Sequence, residues 1–174
     1  MTETIKIGNR SVGSGQPPYI IAEACINHQG DPAIAERMVY MAHAMGSDAI
    51  KFQMHVLDDE MLRDAPMSAN FDEPLYDTLD KTNLSFDQHR KLQALCDQLG
   101  ITYLCTPFSM ASADLVDSLD VPVFKVGSGE LTNIPLQQYI AAKGRPMIVS
   151  TGMTELHEID ETVSVRVELR KRLV

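Results

Sequence analysis

Two lysines stand on stretches too apolar to carry a cation without a reason. Lys51 lies in Asp48-Ala49-Ile50-Lys51-Phe52-Gln53-Met54-His55, and Lys125 in Val121-Pro122-Val123-Phe124-Lys125-Val126. A buried ammonium loses its solvation and tends to shed its proton unless an anion is fixed beside it. Strand side chains alternate, so Lys51, Gln53 and His55 share one face. Lys125 runs into Gly127-Ser128-Gly129-Glu130. Two glycines let the backbone approach a ligand closely, and turned N–H groups there can form an anion-binding concavity. The plainer account of this stretch is a strand ending in a Gly-rich turn, with Lys125 paired to an acid.

Three further apolar runs end on polar residues: Glu23, Thr106 and Ser150. Each alone is more simply structural. Together, at five strand ends, they describe a site. Two lysines acting as point charges, with the hydroxyls of Thr106, Ser128 and Ser150, suit a small dianion such as a phosphate ester bearing a carboxylate. Glu23, beside two ammonium groups, can hold a substrate hydroxyl or move a proton. Other chemistry lacks support. The histidines have no HExxH or other ligand spacing, and there is no GxSxG. His43 and His89 fall in predicted helices and are expected to be solvated. Cys25 and Cys105 read as packing residues.

The elements that must position these groups follow from periodicity. Residues 1–18 suit a short hairpin. Tyr19–Ala22 is a compact apolar run and reads as a buried strand. Pro32 suits the first turn of the helix that follows, which Gly46 stops. Asp48–His55 is the second strand. Residues 56–84 read as a long loop, a length that suits a lid. Ser85 and Gln88 match a capping box for a helix ended by Gly100. Ile101–Thr106, Val121–Val126 and Pro146–Gly152 are the later strands. Between them lie a helix over about 111–119 and one capped by Asn133. Thr154 is expected to cap a last helix.

Five β-α units with apolar strands predict a parallel sheet covered on both faces. A doubly wound open sheet and a (β/α)8 barrel compete. The first βα turn, Glu23 to Asp31, lacks GxGxxG, and polar residues at the strand ends favour the barrel, whose active sites sit on that rim. The chain has 174 residues, 44% of them hydrophobic, enough for one ordinary domain with a sizeable core. Its net charge of −9 argues against nucleic acid or an anionic membrane as partner. The three cysteines have no CxxC spacing and suit a reducing compartment. With no apolar leader and no apolar run long enough to span a bilayer, a cytoplasmic protein is expected.

These motifs resemble the sialic acid (N-acetylneuraminate) synthase family. The run Ile21-Ala22-Glu23 with Asn27-His28-Gln29-Gly30-Asp31 is similar to the family's first strand and loop. Asp48–Gln53, Thr106-Pro107-Phe108-Ser109, Phe124–Glu130 and Ser150-Thr151-Gly152-Met153 follow in the family's order. The resemblance covers roughly residues 3–160, and residues 161–174 are expected to fit the family's fifth helix poorly. The related 3-deoxy-octulosonate phosphate synthases differ in the first strand.

The resemblance implies an α/β (β/α)8 TIM-barrel fold and condensation of phosphoenolpyruvate with N-acetylmannosamine or a related amino sugar, releasing phosphate. It assigns Lys51, Thr106, Lys125, Ser128 and Ser150 to phosphoenolpyruvate. It assigns Glu23 and Gln53 to the acceptor sugar, with Asn70 from the long loop as a further contact. It also implies a divalent metal, manganese or magnesium, whose ligands come from later strands that residues 1–174 lack, as they lack the family's antifreeze-like domain. The expectation is a single partial barrel of about five βα units, truncated and inactive by itself. A homodimer or a complementing chain is the expected partner. The alternatives are a non-catalytic remnant, and a Schiff-base aldolase using Lys51 or Lys125.

Overall fold

The computed structural model describes residues 4–65, 67 and 72–172. Strands β1 (Thr4–Ile7) and β2 (Arg10–Gly13) form an antiparallel hairpin. Then come β3 (Ile21–Cys25), α1 (Pro32–Ala44), β4 (Ala49–Met54), α2 (Leu57–Glu60), α3 (Leu75–Thr82), α4 (Phe86–Leu99) and β5 (Thr102–Pro107). Helix α5 (Met110–Ser118), β6 (Phe124–Val126), a 3-10 turn at Ser128–Glu130, α6 (Ile134–Ala142), β7 (Met147–Val149) and α7 (Leu156–Arg172) complete the order. Strands β3, β4 and β5 pair in parallel in that order, β6 pairs in parallel with β7, and β6 lies beside β5. Strands that follow one another in space as in sequence, without a reversal, form the arc of a barrel rather than a doubly wound sheet.

The two faces of this arc differ, and the period-2 alternation of the strands explains how. On the outer face Ile50, Phe52, Met54, Tyr103, Cys105, Phe124 and Val126 pack against Ala35, Val39, Leu92, Cys96, Val116, Leu136 and Ile140 of helices α1, α4, α5 and α6. On the inner face Ala49, Leu104 and Val123, with Ile21 and Ile148, form a small apolar layer. Among the described residues no helix covers that layer. Ile7 and Val12 of the hairpin do, so the hairpin plugs the amino-terminal end of the arc. The expected covering of both faces is thus corrected: helices line the outer face only. The next inward residue along each strand is Glu23, Lys51, Thr106, Lys125 and Ser150. An apolar floor therefore carries a polar rim at the carboxyl ends.

Local signals place the helices. Asp31 accepts from the N–H groups of Ala33 and Ile34, with Pro32 in the first turn of α1. Ser85 and Gln88 form both bonds of the capping box on α4, and Gly100 ends that helix in the left-handed region. Asn133 accepts from the Leu136 N–H at 3.2 Å. Two expectations fail. Residues 56–84 are not one loop but carry α2 and α3, which share a small core of Leu57, Tyr76 and Leu79 against Ile26 and Met61. Thr154 donates to the Thr151 carbonyl instead of capping α7, while Glu158 accepts from the Glu155 N–H. Helix α7 nevertheless runs on to Arg172.

Candidate anion site at the carboxyl ends of the strands

Strand register brings the first group together. Glu23 pairs with Lys51 across β3 and β4, and Gln53 pairs with Thr106 across β4 and β5. Lys51 Nζ lies 2.5 Å from a Glu23 oxygen and donates to Thr106 Oγ1 at 3.3 Å, a diagonal reach that follows strand tilt. Lys51 is buried while Glu23 is about half exposed, so the pair opens toward solvent through the carboxylate. The β3–β4 ladder slips directly after Glu23, and Cys25 there has φ +52°. A bulge of this kind re-aims the chain beside a site.

Lys125 forms the second group. Its Nζ donates to the Val126 carbonyl at 2.5 Å and to Ser150 Oγ at 2.6 Å. The expected acidic partner is not what holds it: among the described residues its partners are a carbonyl and a hydroxyl. Burial first, then the nearby Lys51 charge, lowers the Lys125 ammonium to about 8, against a smaller upward pull from Glu23. Two cations within reach of each other share a single carboxylate, a balance that a bound dianion would correct. Ser128 is half-buried in the turn after β6, and among the described residues its side chain bonds neither lysine. Gly127 has φ −65°, and Gly129 is not in the left-handed region, so neither glycine is required for the turn's geometry. Asn70 lies outside the described residues.

The segment over the rim is fastened at both ends. Asp59 accepts from the Ala111 N–H at the start of α5, and Ile26 from the loop after β3 joins the α2–α3 core. It therefore stands at the carboxyl ends of the strands. Gly30 makes the fit: at φ +76°, an added Cβ would lie 2.5 Å from the Lys81 carbonyl oxygen of α3.

Sequence reasoning passed over one group here. His55 Nδ1 lies 2.8 and 3.0 Å from the two Glu60 oxygens, its Nε2 lies 3.2 Å from Gln53 Oε1, and its ring stacks on Phe108. The clue was Lys51, Gln53 and His55 at spacing two on one strand; Glu60, placed by α2, had no signal. His89 is also corrected. It is buried rather than solvated, and Nδ1 meets the Tyr103 hydroxyl at 2.7 Å. Burial foremost lowers its imidazolium to about 4. Cys105 is buried, and its thiol is pushed up to about 12, mainly by burial, which removes it as a nucleophile. Among the described residues no three of His, Cys, Asp or Glu sit as cation ligands, so the described residues do not supply the ligand set of a catalytic metal.

An arc of parallel strands carrying helices outside and a polar rim with two lysines at the carboxyl ends is the frame of a barrel-type α/β enzyme. The chain matches the model of the NeuB family over residues 38–174 and belongs to that family. The match takes in residues 161–174. The chain is 38% identical over 162 residues to the N,N'-diacetyllegionaminic acid synthase of Legionella pneumophila, covering 87% of this chain and 44% of that one. It is 35% identical over 161 residues to the N-acetylneuraminate-9-phosphate synthase of Homo sapiens, covering 90% and 45%. A solved structure of N-acetylneuraminic acid (sialic acid) synthetase from Leptospira borgpetersenii, in complex with citrate, superposes with a TM-score of 0.83 at 27% identity, covering 98% of this chain and 57% of that one. The chain thus spans less than half the length of the two sequence relatives.

Proposed function

We propose that this chain carries the phosphoenolpyruvate-binding part of a nonulosonic acid synthase. The reaction joins the enol carbon of phosphoenolpyruvate to the aldehyde of N-acetylmannosamine or a related N-acyl amino sugar; water adds at the phosphate-bearing carbon and phosphate leaves. Lys51, Thr106, Lys125 and Ser150 hold the dianion, with Ser128 turning toward it on binding. Glu23 and Gln53 face the acceptor, and Asn70 is assigned to it as a further contact. The reducing interior of the cytoplasm suits three unpaired cysteines.

The observation that carries this reading is the buried Lys125, bonded to Ser150 and left without a carboxylate beside the Lys51–Glu23 pair. Calorimetric titration with phosphoenolpyruvate tests it. Lys125→Met and Lys51→Met are each expected to weaken binding roughly ten- to hundred-fold, the scale of a charge-assisted hydrogen bond. An affinity unchanged from the parent in both variants would remove the site. A second reading has one observation in its favour. A lysine lowered to about 8 is a usable amine nucleophile, as a Schiff-base aldolase needs. Borohydride reduction with pyruvate decides between them: the synthase reading expects no covalent adduct on Lys125.

A further inference from the structure

Three contacts fix the His55 side of the rim. The Glu60 carboxylate, nearly buried, accepts only, so the facing Nδ1 of His55 carries a proton. Phe108 stacks on the ring at 4.5 Å between centroids with 16° between planes, an arrangement that suits a cationic ring. Asn83 donates to the His55 carbonyl at 3.0 Å and holds the backbone. With Nδ1 committed to Glu60, only Nε2 remains to meet the Gln53 amide.

That leaves two consistent arrangements. A doubly protonated ring donates from Nε2 to Gln53 Oε1, and the amide then turns its NH2 toward the mouth. A neutral ring offers a lone pair at Nε2, so the amide must turn over and present its carbonyl instead. In the structure Gln53 Oε1 faces Nε2 at 3.2 Å, the contact that the first arrangement requires. Its alternative would place two lone pairs face to face. We infer that His55 and Glu60 form a proton-dependent latch that decides whether Gln53 presents a donor or an acceptor to the acceptor sugar. In the protonated state the presented NH2 selects an oxygen acceptor, such as the carbonyl of an N-acyl group or a hydroxyl oxygen. His55 and Glu60 are positioning residues that act through Gln53. Beside Glu60, the His55 ring is close enough to the buried His89 for its charge to bear on it, as the charge of His28 also does.

The inference rests on Gln53 facing the acceptor, and the latch itself is readable without any sugar. The test is NMR of the imidazole nitrogens and the glutamine side-chain amides of the 174-residue chain across a pH titration. The expected result is a proton on Nδ1 in both states of the ring, with the Gln53 NH2 resonances moving at the midpoint of the His55 titration. In His55→Gln those resonances become independent of pH. In Glu60→Gln the neutral ring populates both tautomers, and restoring a carboxylate with Glu60→Asp recovers the Nδ1 form. Gln53 resonances that ignore the His55 titration, or a proton on Nε2 in the neutral parent ring, would overturn the latch. Saturation transfer from the protein to N-acetylmannosamine, with phosphoenolpyruvate present, is the second arm. A sugar signal that follows the Gln53 midpoint supports the whole inference. An intact latch with a signal that ignores it would overturn the role of Gln53 at the acceptor, and with it that part of the proposed function.

Discussion

Lys125 holds its proton weakly because it is buried beside another cation, and this gives the site a pH signature. A dianion between the lysines favours the charged ammonium, so phosphoenolpyruvate binding should take up protons near pH 8 and weaken as pH rises through that value. Calorimetry in two buffers of different ionisation enthalpy measures the uptake directly. An affinity that does not change on either side of pH 8 would mean that Lys125 does not meet the dianion. His89 carries the opposite kind of consequence, for stability. The unfolded chain protonates this ring at about 6.5, whereas the folded chain resists until about 4. Protonation therefore favours unfolding, and stability should fall as pH drops between those values and hold above them. Thermal melts from pH 7 to 4, with the His89 resonance followed in parallel, check the direction; a melting temperature that rises toward pH 4 would contradict it.

At the level of elements, the segment over the rim depends on a close backbone approach that only glycine permits. Gly30→Ala places a Cβ 2.5 Å from the Lys81 carbonyl oxygen and forces alanine into the left-handed region. The expected cost is about 1–3 kcal/mol, with loss of protection in α3 before the central strands. Hydrogen exchange by mass spectrometry reads both. By contrast, Ser85→Ala removes one cap bond on an exposed helix end and should cost only about 1 kcal/mol, spread over α4. If the two variants behave alike, Gly30 is not what docks α3. Alternation along β4 shows how an element builds the site: Phe52 and Met54 go outward into the helix layer, while Lys51 and Gln53 go inward to the rim.

For the molecule as a whole, the arc has two ends. Among the described residues β3 pairs only with β4, and β7 only with β6, so each has an edge whose backbone groups face no strand. Met41 and Met45 of α1 and Met153 beyond β7 are exposed near those ends. The 174 residues by themselves should therefore associate with rising concentration, as open parallel edges do. Sedimentation velocity measures this; a monomer at all concentrations would show that the edges are otherwise covered. The same openness bears on catalysis. Water at an open rim weakens each charge contact, and among the described residues no three of His, Cys, Asp or Glu are grouped to hold a metal ion. Phosphate release from phosphoenolpyruvate, dependent on N-acetylmannosamine and manganese, is expected to be absent from this chain alone, though binding persists. Turnover within the usual enzymatic range of about 1–10³ per second would overturn that expectation.

Much of this arrangement is written in short-range patterns. Apolar runs marked the strands, and Pro32, Ser85 and Asn133 marked helix starts, because helix-start signals act between residues a few positions apart. Five strand ends bearing Glu23, Lys51, Thr106, Lys125 and Ser150 were legible for the same reason: alternation fixes which side chains share a face. Partnership between strands was not. That Lys51 takes Glu23 while Lys125 takes Ser150 depends on strand register and tilt, which no local pattern encodes. Helices α2 and α3 escaped notice because each is short and marginal alone, and they are held by a core shared with Ile26. His89 looked solvated on its own helix, yet the fold brings Tyr103 of β5 against it. Periodicity alone had helices on both faces of the sheet. Only the tertiary structure put a hairpin, and among the described residues no helix, against the inner face, because Ile7 and Val12 lie far from Ala49, Leu104 and Val123 in sequence and meet them only in the fold.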